Sequence, residues 1–169
     1  MALPKVLKNM NVFTDGNNWK AEVKTITLPK ITKKTEDYRG AGMLGDVALD
    51  MGYEKMECEI SHPGFNRLQY AEFGNCGVDS LPVRYVGSYE DKQTCQKSTV
   101  EYYLRGTLIE VDAGDQELGS LGEFKSMYNL SYFRLTVDGE EVVELDFING
   151  IERFAGTDLS AEVRQMLGL

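Results

Sequence analysis

Two long segments of alternating residues, 98–112 and 123–137, most constrain the fold of this chain. In the first, Val100, Tyr102, Leu104 and Leu108 fall on one face of an extended strand. Gly106 interrupts that face and predicts a bulge or a bend. Strands of this length, each with a buried face, need a large antiparallel sheet around them.

The second long segment changes its buried face partway along. Phe124, Tyr128 and Tyr132 share one face, whereas Phe133 and Leu135 lie on the other. A one-residue slip exchanges the two faces of a strand, as happens at a bulge or where a strand passes between two sheets. The slip therefore predicts a sandwich or barrel in which this strand serves both layers.

Shorter segments with the same alternation complete the predicted sheet. Residues 9–15, 21–28, 47–61 and 81–90 read as strands, and Asp138-Gly139 predicts a tight hairpin turn. Residues 30–45 are polar and then rich in glycine, which predicts a long irregular excursion. The fold class is therefore mainly β, an antiparallel sandwich or barrel-like domain.

Two short helices are predicted beside the sheet. Residues 63–73 form the first, with Ser61 as the cap and Gly74 as a left-handed end. Residues 158–167 form the second, which Thr157 caps and Gly168 ends. The 169 residues fit a single domain spanning 1–169, and we find no repeat or linker in them.

The charge of the chain is −9 and is unevenly distributed. Residues 1–34 carry seven lysines against Asp15 and Glu22, while residues 110–169 hold thirteen acids against four basic residues. A basic end and an acidic end favour either association between copies or an unevenly charged solvated surface. The acidic balance argues against ordinary nucleic-acid binding, which uses a basic footprint.

No motif in the sequence indicates catalysis, a cofactor or a metal. Residues 40–45 match the spacing GxGxxG, but a strand-like segment follows where a dinucleotide site needs a helix. His62 is the only histidine, and residues 112–117 lack the spacing of a calcium loop. We therefore expect no catalytic residues, no cofactor-binding residues, no metal ligands and no enzymatic activity.

Targeting and redox signals are equally absent. No apolar run is long enough to span a membrane, and the first ten residues lack the core of a secretion signal, so we expect no membrane insertion of the subunit. Cys58, Cys76 and Cys95 have no paired spacing and read as reduced thiols.

Several segments read together resemble the major tail tube protein of contractile-tailed bacteriophages, in the subgroup that also supplies the tubes of R-type bacteriocins. The segments are LPKVLKNMNVFTDG, TLPKITKKTEDYRGAGMLGDVALDMGYEKMECEI, LRGTLIEVDAGD and YFRLTVDGEEVVELDFINGIERFAGTDLSAEVRQMLGL. The resemblance runs from residue 3 to the last residue, and residues 62–97 depart most from the pattern.

The resemblance implies a structural protein with a fold similar to that of the type VI secretion tube protein. Hexameric rings of such subunits stack into a hollow tube inside the sheath, and the tube crosses the host envelope and conducts viral DNA. The implied partners are the sheath protein, the tail terminator, the baseplate hub, the tape measure protein and the passing DNA, which is bound weakly and without sequence specificity. The implied location is the virion tail, assembled in the host bacterial cytoplasm. A DNA-free R-type bacteriocin or a related contractile injection particle is the alternative.

The resemblance also implies which residues meet neighbouring subunits. By position, residues 29–50 correspond to the long loop or hairpin that reaches adjacent copies in the family. The expected inter-subunit or inter-ring contact residues are Lys30, Lys33, Lys34, Glu36, Tyr38, Arg39, Gly40, Gly42 and Met43.

A second set of residues follows from the passage of DNA. Because DNA is a polyanion, a channel lined with acids would not hold it. We therefore expect surplus acids to face the lumen, and the candidates are Glu101, Glu110, Glu140, Glu141, Glu144 and Asp146.

Overall fold

The computed structural model describes residues 4–169, so the first three residues of the expected domain lie outside the described part. Within that part the chain forms twelve strands and two helices. In chain order they are β1 (Lys5–Thr14), β2 (Asn17–Asn18), β3 (Thr25–Thr27), β4 (Lys33–Tyr38), β5 (Val47–Tyr53), β6 (Met56–His62), α1 (Arg67–Phe73), β7 (Leu81–Asp91), β8 (Lys97–Asp112), β9 (Phe124–Val137), β10 (Glu140–Asp146), β11 (Ile151–Phe154), β12 (Thr157–Asp158) and α2 (Ala161–Leu167).

The two long strands β8 and β9 form the centre of the fold. They pair antiparallel from Val100 opposite Val137 to Asp112 opposite Lys125. The outer strands each cover only half of this ribbon, since β7 pairs with one half of β8 while β10 and β6 pair with opposite halves of β9. One ribbon therefore carries two layers, as the slip in the buried face predicted.

The change of layer falls at a bulge beside Gly106. The β8–β9 register shifts between Arg105 and Gly106, and on β9 the adjacent Tyr132 and Phe133 are both buried. A side chain at Gly106 would overlap the carbonyl oxygen of Asn129, so only glycine permits this close approach of the two backbones.

The complete sheet has ten strands and is antiparallel, which confirms the mainly β class. Its main path runs β12-β11-β10-β9-β8-β7-β1-β2, and the pair β3-β6 branches from β9. Among the described residues the two ends of the path do not pair, so the sheet is not closed into a barrel. The core lies between the layers and includes Val12, Trp19, Met56, Cys58, Ile60, Leu81, Val83, Tyr85, Leu104, Leu108, Tyr128, Leu130, Phe133 and Leu145.

Residues 30–45 are not the irregular excursion that their composition predicted. Strands β4 and β5 form a separate two-stranded sheet, with Tyr38 opposite Val47 and Thr35 opposite Asp50. Sequence reasoning missed β4 because every one of its residues is exposed, so no buried face marks it.

Several predicted boundaries also move. The strand expected at 47–61 is two strands separated at residues 54–55, where Glu54 N–H donates to Thr32. The strand expected at 21–28 shrinks to Thr25–Thr27, after Ala21 adopts a positive φ of 68°. The Asp138-Gly139 turn is confirmed, with both residues at positive φ.

Both helices begin later than predicted. Asn66, rather than Ser61, caps α1 through Leu68 N–H, and Gly74 ends this helix with a right-handed φ of −75°. The second helix begins at Ala161 because Thr157 and Asp158 belong to β12, while Gly168 ends it with the predicted left-handed φ of 74°.

The Gly106 bulge gives a stability prediction. Gly106→Ala should lower the free energy of unfolding by roughly 1–3 kcal/mol, the usual cost of forcing an extra carbon into a packed site. Urea unfolding of the purified subunit measures this effect. Gly45→Ala is the matched control, because its new Cβ meets nothing within 4 Å; equal stability of the two variants would contradict the prediction.

Candidate assembly surfaces

The β4–β5 hairpin gathers all of the predicted inter-subunit contact residues. Lys33, Lys34, Glu36 and Tyr38 lie on β4, Lys30 precedes it, and the other four lie in the connection to β5. The structure thus brings these residues together on one projecting element.

One face of this hairpin is mainly apolar and exposed, with Glu36 opposite Leu49 as a charged member. Tyr38 and Val47 are cross-strand partners, and Leu49 and Met51 follow at alternate positions of β5. Their side chains are 46–56% exposed. We call these four residues the hairpin face; a patch of this kind is typical of a surface that another chain covers.

The hairpin is attached to the body of the subunit at its base. Tyr53 stacks on Phe147 with ring centroids 5.8 Å apart, and its hydroxyl donates to Glu152 over 2.5 Å. Burial and Glu152 together raise the pKa of Tyr53, which keeps the donor protonated. Opposite Tyr53 at the same end of the hairpin, Lys33 donates to Asp50 over 2.5 Å, and this hydrogen bond raises the pKa of Lys33.

A row of arginine and aromatic side chains crosses the outer side of the large sheet. Cross-strand partners follow one another from β7 to β11 in the order Arg84, Tyr103, Arg134, Glu144 and Arg153. We call this row, together with the neighbouring Arg105 and Tyr132, the arginine face.

Cation–π contacts hold the arginine face in place. The guanidinium carbon of Arg134 lies 5.2 Å from the ring centre of Tyr103, and that of Arg105 lies 4.3 Å from the ring centre of Tyr132. Burial and Glu144 raise the pKa of Tyr132 to about 12. The face is thus a network of fixed side chains.

Four of the predicted lumen acids are engaged by this network, the fourth being Asp146, which lies 3.8 Å from the Arg105 guanidinium. Glu101 accepts from Arg84 at 2.7 Å, and the Arg84 bond lowers the pKa of that carboxyl. Glu141 and Glu144 both accept from Arg153, at 3.1 and 2.5 Å. These acids therefore present paired charge. No sequence pattern indicated the pairing, because the partners lie on different strands.

Asp146 also has a structural role, and the last two predicted acids lie outside the network. Asp146 is 5% exposed and accepts from the backbone of Ile148 and Asn149, so its carboxylate shapes the turn after β10. Glu110 and Glu140 are exposed and make no ion pair among the described residues. The structure does not collect all six acids on one surface.

The second helix adds another apolar surface, which sequence reasoning did not assign. None of its residues is buried; Val163, Met166 and Leu167 are 54–75% exposed. An open groove of about 350 Å³ lies beside it, between Phe147, Val163 and Leu169. Arg164 holds the helix by binding Asp158 at 2.6 Å and the Gly150 carbonyl at 2.9 Å.

The described residues contain no group of three or more acidic, histidine or cysteine side chains arranged to hold a metal ion. In the same part of the chain, no helix has the length and apolarity needed to cross a membrane. Cys58 is buried, whereas Cys76 and Cys95 are exposed, and all three are free thiols.

Exposed apolar faces on the hairpin and on α2 are typical of a subunit of a larger assembly, and comparison with known proteins identifies its kind. The chain belongs to the family described as phage tail tube protein FII, whose pattern matches residues 4–168. It is 41% identical over 172 aligned positions to the tail tube protein of Escherichia phage P2, covering 100% of both chains. It is 32% identical to the major tail tube protein of Serratia phage KSP20, covering 94% of this chain and 92% of the relative.

A solved structure supports the same fold. A chain of the sheath–tube complex of an extracellular contractile injection system, PVC, in its extended state, superposes with a TM-score of 0.56. The superposition covers 79% of this chain and 90% of the other at 9% identity, so the likeness concerns the fold alone.

The Asp158–Arg164 pair gives a pH prediction. The hydrogen bond from Arg164 lowers the pKa of Asp158 to about 2. A carboxylate with a lowered pKa stabilises the fold above its ordinary pKa, and this stabilisation is lost as the pH falls toward 2.

Asp158→Asn should therefore reduce the protection of the α2 backbone amides at pH 6, with a difference from the parent that shrinks in acid. Hydrogen exchange of Ala161–Leu167 between pH 6 and pH 2 measures this. Glu162→Gln on the same helix is the control, since Glu162 makes no ion pair among the described residues. A difference that persists unchanged at low pH would rule out the ion pair as the cause.

Proposed function

We propose that this protein is a non-enzymatic building block of a contractile phage tail tube, in which hexameric rings stack into a hollow conduit. The observation that carries the proposal is the exposed hairpin face on a chain 41% identical, over its full length, to a tail tube protein. The working unit is one domain over residues 1–169, and the segment 29–50, which includes most of the β4–β5 hairpin, reaches adjacent copies.

Unpaired backbone on two edges of the sheet supports ring closure. Among the described residues, no strand pairs with the outer side of β1 before Phe13. The Met10 and Val12 N–H groups donate to the Asn9 and Asn11 side chains, so the open part of this edge is its beginning. At the other end β12 pairs with β11 through two residues only. Exposed edges readily add a strand from another chain, and two different edges that meet head to tail generate a ring.

The hairpin is our candidate for contacts between subunits or between rings. Its apolar face is too exposed to serve the fold of its own chain, while Lys30, Lys33, Lys34 and Arg39 supply positive charge around it. The acidic excess of residues 110–169 offers complementary charge on a neighbouring copy. Apolar contact and charge pairing together would fix the orientation of one copy on the next.

The arginine face is our candidate for the wall of the channel. It is a broad, rigid surface in which Glu101, Glu141 and Glu144 balance arginines. The phosphates of DNA would meet paired charges there, so the wall would attract DNA only weakly and without sequence specificity. Glu110 and Glu140 add unpaired negative charge if they also face the lumen.

The remaining partners follow from the place of such a tube in a particle. We infer contacts with the sheath protein, the tail terminator, the baseplate hub and the tape measure protein, in a virion tail assembled in the host cytoplasm. The support is indirect: the PVC chain with the same fold comes from a sheath–tube complex.

Leu49→Asp should abolish tube formation while leaving the subunit folded, because Leu49 is 46% exposed and a charge on an apolar contact resists desolvation. Negative-stain microscopy and sedimentation of the concentrated protein measure assembly, and circular dichroism checks the fold.

Ala48→Asp is the matched control, since it puts the same charge on the opposite face of the same strand. Tubes from Ala48→Asp but not from Leu49→Asp would support the hairpin face as the contact. Normal tubes from Leu49→Asp would overturn this assignment.

Combined replacement of Glu101 and Glu144 by glutamine should slow DNA release from particles, because Arg84 would then face phosphates without its partner and Arg153 would keep only Glu141. The release rate after triggered contraction measures this effect, and it should be strongest at low salt. Glu162→Gln is the control, because it removes an acid on α2, outside the arginine face. Unchanged release kinetics would exclude the arginine face as the channel wall, and purified particles without DNA would favour the bacteriocin-like alternative.

A further inference from the structure

Helix α1 packs on the sheet through polar side chains. Its two buried residues are Gln69 and Glu72, at 0% and 5% exposure. Its outer residues Leu68, Tyr70 and Phe73 are 43–50% exposed. This arrangement reverses the usual pattern of an amphipathic helix. The hydrogen bonds of the buried pair and the edge-to-face contact of Tyr70 with Phe124 on β9, at 5.6 Å, hold the helix in place.

Those hydrogen bonds form a continuous chain. The Trp19 indole N–H donates to Thr14 Oγ1 at 2.7 Å, and the Thr14 hydroxyl donates to Glu72 Oε1 at 2.7 Å. Beyond Glu72, the Tyr128 hydroxyl oxygen lies 2.8 Å from Glu72 Oε2 and 2.9 Å from Gln69 Oε1.

With Gln69 oriented so that its Oε1 faces Tyr128 and its buried Nε2 has no partner among the described residues, one proton is missing from this hydrogen-bond network if Glu72 is ionised. A tyrosine hydroxyl carries a single hydrogen, yet Tyr128 faces an acceptor oxygen on each side. With a proton on Glu72 Oε2, Glu72 donates to Tyr128 and Tyr128 donates to Gln69. Every close oxygen pair then shares one hydrogen, and the donation runs in one direction from Trp19 to Gln69.

We propose that Glu72 is a neutral carboxylic acid in the folded subunit, and that loss of its proton loosens α1 from the sheet. The proposal concerns the isolated subunit and holds whether or not the tube assignment is correct. Its consequence is a fold in which the docking of α1, and of the aromatic surface that α1 carries, depends on pH.

The surroundings of Glu72 support the neutral form. Among the described residues no cation lies within ion-pair distance, and Arg67 on the same helix is exposed. Burial raises the pKa of Glu72, and the negative charge of Asp15 in the β1–β2 turn acts in the same direction. Cys58 on β6 adds no charge, because burial raises the pKa of its thiol to about 12.

The sign of the pH effect follows from the raised pKa of Glu72. A carboxyl whose folded pKa is raised stabilises the fold at low pH, and this contribution is lost as the pH rises through the folded value. His62, which contacts Trp19 edge-on at 5.1 Å, acts oppositely, since burial lowers its pKa and its neutral form is lost in acid. The effect of Glu72 on stability therefore appears as the pH is raised, and the effect of His62 appears as the pH is lowered.

The direct test is infrared spectroscopy of the full-length subunit with isotope-labelled glutamate across a pH titration. We expect a carbonyl stretching band of protonated carboxylic acid that persists to higher pH than the bands of the other glutamates and is missing in Glu72→Gln. Trp19, the only tryptophan, should change its fluorescence as that band disappears. Glu72→Gln should lose this high-pH change, because a glutamine amide can donate to Tyr128 permanently.

Two comparisons make the test decisive. Asp15→Asn should keep the band and lower the pH at which Glu72 titrates, since it removes the neighbouring negative charge. Tyr128→Phe should shift the frequency of the band, since the acceptor of the Glu72 proton is gone, and this readout remains if Glu72→Gln fails to fold. Absence of a persistent band would overturn the proposal and would mean that Glu72 is ionised and the Gln69 amide is reversed.

Discussion

The close pairing of β8 with β9 at Gly106 is the constraint on which the rest of the structure depends. The absence of a side chain there lets the Asn129 carbonyl approach, and the register shift moves β9 from one layer to the other. Because of that shift, β9 borders β10 over one half and β6 over the other. The arginine face lies on the first half, and the chain leading to the hairpin and to α1 leaves from the second.

The two candidate assembly surfaces are built in physically different ways. The arginine face is preorganised, because ion pairs and cation–π contacts cross several strands and leave few side chains free to move. The hairpin has its own small sheet and joins the body mainly through Tyr53 at its base. In a hollow assembly, a rigid face can line the channel while a projecting hairpin contacts a neighbouring subunit.

The helices show that the isolated chain leaves apolar surface uncovered. Helix α1 buries polar residues and exposes aromatic ones, and α2 buries none of its residues. Together with the hairpin face they leave large apolar patches in water, which monomeric proteins seldom do. A subunit whose final environment is its own neighbours has no need to bury these patches within one chain.

The long strands, the Asp138-Gly139 turn and the bulge at Gly106 could be predicted from the sequence alone. These features are local, because alternation, turn residues and glycine act within a few positions. Only the tertiary structure decided which acids are paired and which are buried. Glu101 meets Arg84 on β7, Asp146 is enclosed within its turn, and Glu72 meets Thr14 and Tyr128 far along the chain. The charge and protonation state of a side chain depend on such partners. Strand register determines which residues become partners, and a single sequence does not reveal that register.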